Sequence, residues 1–157
     1  MNLEDVRDCL EKEGWPVDMV SDTTMRSRFR SGERIFPLFV HLEPGGAEAR
    51  PPDDAAPPRS GRSREPAYAT FAVIPFAKLP QDESGDILAD RLLVLNREMN
   101  MAKFSVDEDG DVILSVEYPL ADLDPSEVRD AIDVLSYYAE KYRAEIHAAA
   151  APKQDDE

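Results

Sequence analysis

The stretch Phe104-Ser105-Val106-Asp107-Glu108-Asp109-Gly110-Asp111-Val112-Ile113-Leu114-Ser115-Val116-Glu117-Tyr118 decides the fold class of this chain. Phe104 and Val106 alternate before an acidic turn, and Val112, Leu114, Val116 and Tyr118 alternate after it. A period of two places alternate side chains on one face of a pleated strand. Asp109-Gly110 supplies residues that tolerate positive φ between the two runs, so the segment reads as a β-hairpin.

Helices flank the hairpin. After it, Asp124 reads as an N-cap and Pro125 as the first helical residue, with Glu127 closing a capping box. Val128, Ala131, Ile132, Leu135, Ala139, Tyr142 and Ile146 then share one face at helical spacing, and residues 148–157 read as a disordered tail. Before it, a helix over 84–100 carries Leu88, Leu92, Leu95 and Met99 as its apolar stripe, widened by Ile87, Leu93 and Val94. That stripe is wider than one sheet face requires. It predicts either deep burial or a second contact, such as a dimer partner.

Further upstream, 67–76 alternates Tyr68, Thr70, Ala72, Ile74 and Phe76 with Ala69, Phe71, Val73 and Pro75. Both faces are mostly apolar, as in a central strand covered on two sides. Residues 43–66 differ in kind: six prolines, three glycines and no aliphatic residue larger than alanine. Such a segment buries too little to offset chain entropy and reads as a mobile insertion. Arg50, Arg59, Arg62 and Arg64 make it either a basic docking arm for an acidic surface or an untailored loop.

The N-terminal third supplies a helix and two strands. Asn2 caps a helix with Leu3, Val6 and Leu10 on one face; Gly14 stops it, and Trp15 packs back over its end. Strands over 23–30 and 35–42 meet at the turn Ser31-Gly32-Glu33. Pro37 lacks a donor, so its strand lies at an edge or is locally irregular. The whole reads as one α+β domain over 1–147, in the order α-β-β-β-α-β-β-α, with helices packed on an antiparallel sheet of about five strands.

Composition narrows the function. The 157 residues carry a formal net charge of -15, and 20 of the 33 acidic residues follow position 66. Like-charge repulsion argues against nucleic acid and anionic membranes as partners. A lone Cys9 excludes an intrachain disulfide and reads as a buried, inert thiol. No apolar run reaches the length of a membrane span, and the acidic N-terminus is unlike an export signal, so the cytoplasm is the expected compartment.

Candidate chemistry is sparse. His41 and His147 have no histidine or cysteine near them in sequence, and neither a phosphate-binding loop nor a nucleophile elbow occurs. Asp107, Asp109 and Asp111 do not make a calcium loop: Gly110 comes too early and Tyr118 stands where the bidentate glutamate belongs. The expectation is a non-enzymatic protein with no cofactor and no metal.

The segments Leu92-Leu93-Val94-Leu95-Asn96, Met101-Ala102-Lys103-Phe104-Ser105-Val106-Asp107, Asp109-Gly110-Asp111-Val112 and Tyr118-Pro119-Leu120, with the long capped helix after them, resemble the YbjN domain family. That family shares the fold of the CesT-type type III secretion chaperones. The resemblance implies the element order above, a non-enzymatic and often dimeric protein, and a client segment held against sheet edges and apolar grooves. The long Pro-rich insertion departs from the family pattern.

Two residue sets are the expected contact surfaces for a protein or peptide client, or for a second copy of the chain. One is Arg26, Arg28 and Arg30, which project from one face of a strand at period two, with Arg34 beyond the turn; the other is Leu88, Leu92, Leu95 and Met99. Arginines in this pattern also suit a solvated face paired to acids across strands. The alternative function is a structural or regulatory subunit that docks on a larger complex through the Arg-rich loop 43–66.

Overall fold

The computed structural model describes residues 1–43 and 67–151. Except for Glu43 and 148–151, the expected insertion over 43–66 and the expected tail over 148–157 lie outside the described residues. The elements run α1 (Leu3–Lys12), β1 (Val17–Met19), β2 (Thr24–Ser31), β3 (Arg34–Glu43), β4 (Tyr68–Lys78), α2 (Glu83–Glu98), β5 (Ala102–Val106), β6 (Asp111–Pro119) and α3 (Pro125–Ala150). The fold is α+β, with an antiparallel six-stranded sheet in the order β1-β2-β3-β4-β6-β5.

The hairpin at 104–118 forms as its residues dictate. Gly110 takes φ +78°. The Asp107 carboxylate accepts from the backbone N–H of Asp109 and Asp111 at 3.0 and 2.9 Å. The acidic turn thus spends a carboxylate on its own backbone. The helix ends are equally local. Asp124 and Glu127 form a capping box at the start of α3. At the end of α1, Gly14 donates to Glu11 and Trp15 to Leu10, a Schellman closure with Gly14 at φ +83°.

α3 lies across the sheet, with α1 and α2 against its two sides, and the three share one layer. The layer buries Met25, Phe29, Leu38, Val40, Phe71, Leu114 and Val116 on the sheet and Ile132, Leu135 and Ile146 on α3. Each such side chain contributes roughly 1.5–3 kcal/mol on leaving water. Phe76, Phe104 and Tyr142 form an aromatic chain between α3 and the β4–β6–β5 side.

Three features differ from the sequence reading. The sheet has a sixth strand, β1, three residues after Pro16 and too short to show alternation. β4 is central as expected, but among the described residues helices cover one of its faces only. On the other face Ala72 is small enough to be buried by its neighbours, while Thr70 and Ile74 are half-exposed. α3 continues as helix through Ala150.

Candidate functional site

The sheet is broken in its interior. β3 pairs with β2 from Arg34 to His41, but with β4 only from Phe39–Ala72 to Glu43–Tyr68. The cause is in the two prolines. The N–H of Leu42 donates to Thr23, on the β2 side. Backbone groups alternate sides along a strand, so Phe39 and Pro37 face β4. Pro37 has no N–H to offer there, and the ladder ends one pair before it. On β4, the Ala67 carbonyl accepts from Leu120 on the β6 side. The alternation holds through Val73 and breaks at Pro75, which is exposed where the pattern calls for a buried residue, and there the β4–β6 register shifts, between Val73 and Ala77. Ile74–Pro75 is a cis peptide bond. The irregularity expected of Pro37 is therefore real, within an interior strand.

The break leaves a gap between the first half of β3 and the second half of β4. A cavity of about 360 Å³ occupies it, lined by Arg34, Ile35, Pro37, Pro75, Arg143 and His147 among others. A second hollow of about 560 Å³ lies beside it against β1 and β2, and includes Asp18, Arg26 and Arg28. The two share Ile35 and Pro37. Both volumes fall within the range of about 300–1,000 Å³ common to ligand sites. His147 closes one end: its Nε2 lies 2.7 Å from the Phe76 carbonyl oxygen, and its ring meets Phe76 edge-on. His41 lies elsewhere, exposed, 2.8 Å from the Thr24 hydroxyl through Nδ1.

The expected arginine stripe is exposed, on the face without helices. Arg26 stands opposite Asp18 in register and pairs with it at 3.3 Å. Such an exposed pair contributes little to stability. Arg28, Arg30, Arg34 and Arg143 make no ion pair among the described residues. Arg143, on α3, was not legible as part of this set: nothing in a helix's own sequence says which strand gap it overlooks.

The expected apolar stripe divides. Leu88, Leu92, Leu95 and Met99 are buried, at 1%, 3%, 0% and 7% exposure, within the core of a single chain. They pack toward β5 and α3 and present no surface. What remains exposed is the widening of the stripe, Ile87, Leu93 and Val94, at 67%, 69% and 50%. Arg91, on the same side as Ile87 and Val94, binds Glu145 of α3 and marks the flank that α3 borders.

The outer edges of the sheet offer little. β1 is three residues long. On β5, the side-chain amide of Asn96 donates from Nδ2 to the Phe104 carbonyl at 2.9 Å and accepts the Phe104 N–H on Oδ1 at 2.6 Å. One amide thus stands where the next strand would pair. No group of three or more His, Cys, Asp or Glu placed to hold a metal ion occurs among the described residues. No helix among them is long and apolar enough to cross a membrane.

Comparison with known proteins gives three results. No curated protein matches. A solved structure, described as "Structure of the heterodimeric complex ExoU-SpcU from the type III secretion system (T3SS) of Pseudomonas aeruginosa", contains a chain of similar fold, with a TM-score of 0.55 at 16% identity over 93% of this chain and 98% of that one. A family model described as "T3SS (YopN, CesT) and YbjN peptide-binding chaperone 1" matches residues 72–151, about half of the sequence, which spans the second half of the sheet and both later helices. The chain belongs to this family of T3SS and YbjN peptide-binding chaperones.

Proposed function

We propose that this protein is a non-enzymatic, cytoplasmic chaperone that holds an extended segment of a partner protein in the break of the sheet between β3 and β4. One observation carries the reading. The β3–β4 ladder stops at Phe39–Ala72, so Ile35 and Pro37 on one side and Ile74 on the other direct backbone groups into an accessible gap without a partner strand. Buried backbone groups are almost always paired, and an extended peptide supplies the matching donors and acceptors by strand addition. The outer edges fit this role less well, because β1 is short and Asn96 occupies the centre of the β5 edge.

Family membership supports the peptide-binding part of the reading. The test is selection from a random library of peptides about twelve residues long, followed by amide exchange of the chain with the best binder. Protection at the N–H groups of Ile35 and Ile74 is expected. Failure to enrich any peptide, or protection confined to α2, rejects the reading.

A homodimer through α2 is a weaker part of the same proposal. Ile87, Leu93 and Val94 of two copies are already partly covered within each chain, at 67%, 69% and 50% exposure, so burying the remainder supplies roughly 6–11 kcal/mol, against an association cost of about 4–15 kcal/mol. Any dimer that rests on them alone is weak. Docking through the loop 43–66 lies outside the described residues.

A further inference from the structure

We infer that the groove over the Pro37–Pro75 break selects acidic segments: the preferred client is an extended stretch in which carboxylates alternate with apolar side chains. This rests on the peptide-binding reading above and adds the chemistry of the client. Five basic side chains line the two hollows, which adjoin at Ile35 and Pro37: Arg26 and Arg28 from β2 in one, and Arg34 from β3 with Arg143 and His147 from α3 in the other. Asp18 is the one carboxylate that lines them among the described residues, and Arg26 already holds it. Arg28, Arg34 and Arg143 have no acidic partner among the described residues.

In a chain of net charge -15, three arginines without an acidic partner among the described residues, lining adjoining hollows, are a marked local excess. The apolar floor between them is Ile35, Pro37, Val73 and Pro75. An extended peptide projects alternate side chains to opposite sides. One set can rest on the prolines and Ile35 while the other reaches the guanidinium groups, whose planar forks match carboxylates.

The overall negative charge does not cancel this preference. At physiological ionic strength charges are screened beyond about 8 Å, so the groups lining the groove dominate once a segment has arrived. The acidic remainder of the surface slows arrival, and that effect weakens as salt is added.

The experiment measures fluorescence anisotropy of three dye-labelled peptides about twelve residues long that share alternating leucines and differ in the intervening residue: aspartate, serine or lysine. The chain is expected to bind the aspartate peptide at least about tenfold more tightly than the serine peptide near 0.05 M salt, with the ratio shrinking as salt rises. The double variant Arg28→Glu/Arg143→Glu is expected to reverse the ranking toward the lysine peptide. If that variant does not fold, the salt dependence of the native chain decides. Equal binding of the aspartate and serine peptides, unmoved by salt, overturns the acidic selectivity and leaves peptide binding standing. Binding of none of the three overturns both readings.

Discussion

Replacing Gly85 with alanine is expected to destabilise the protein, against the sign of helix propensity. Gly85 is buried in the first turn of α2, and alanine is favoured over glycine inside a helix by about 0.8–1.0 kcal/mol. A Cβ at this position would lie 1.9 Å from the Pro80 carbonyl oxygen and 3.0 Å from its carbon. Contacts below 3.0 Å are essentially never made, so backbone must retreat by more than an ångström. Neither side gives easily. The N–H of Leu79 is tied to the Gly110 carbonyl at 2.8 Å, and the helix start is held by the Asp82 cap and by the bond from Gly85 N–H to the Asp82 carbonyl, also 2.8 Å. Overpacking costs about 1–3 kcal/mol, and a backbone-on-backbone clash belongs in the upper half of that range. After the propensity gain, the net loss is about 1–2 kcal/mol. Urea unfolding followed by circular dichroism should show a lower midpoint with an unchanged slope. A variant as stable as the parent, or more so, would refute the packing argument.

Three further outcomes are expected. Asn96→Ala removes two hydrogen bonds from the β5 edge and should cost about 1–3 kcal/mol, with faster amide exchange at Phe104; unchanged exchange there would show that the amide does not guard the edge. The Asp124 carboxyl is held below the usual aspartate range by the Ser126 hydroxyl and by the backbone N–H groups of Glu127 and Ser126. Its contribution is therefore complete above about pH 4 and lost as pH falls through the lowered folded value, so Asp124→Asn should flatten the acid limb of the stability curve; parallel curves would contradict this. Light scattering at tens of micromolar should find mainly monomer, and Leu93→Glu should remove any dimer that appears on concentration; a stable dimer that survives Leu93→Glu would place the interface elsewhere.

What was legible in the sequence was local. The Asp109-Gly110 turn, the Asp124 and Asn2 caps and the Gly14 stop each rest on residues within five positions of one another, and each forms with its expected chemistry. The two-period and helical patterns also placed the core: Leu38, Val40, Phe71, Leu114, Val116, Leu135 and Ile146 are all buried. What stayed open was which partner each element meets. The stripe on α2 predicts deep burial or a second contact, and its sequence does not choose between them because its neighbours are not visible there; β5 and α3 absorb Leu88, Leu92, Leu95 and Met99, leaving Ile87, Leu93 and Val94 outside. β1 escaped because three residues cannot display a period. Pro37 announced an irregularity but not its place, since whether a missing donor matters depends on which neighbour it faces.

The place of Pro37 bears on how such a sheet could hold a client without inviting aggregation. A long free edge pairs with any exposed strand, so natural sheets shorten, charge or cover their edges. Here β1 is short and follows Pro16, and β5 has its central residue occupied by Asn96. The unpaired backbone lies instead inside the sheet, where Pro37 withdraws the donor that β4 would have used. A segment that enters this gap must fit between two fixed strands and pass Arg28, Arg34 and Arg143. On the proposed reading, sterics would limit the length of pairing and charge would limit the sequence, so the same backbone groups that would make an outer edge promiscuous would be selective in the interior. Replacing Pro37 with an ordinary β-former restores the donor. By this reasoning it should extend the β3–β4 ladder, stabilise the chain and weaken peptide binding together; a variant gaining stability while keeping its client would separate the gap from the function.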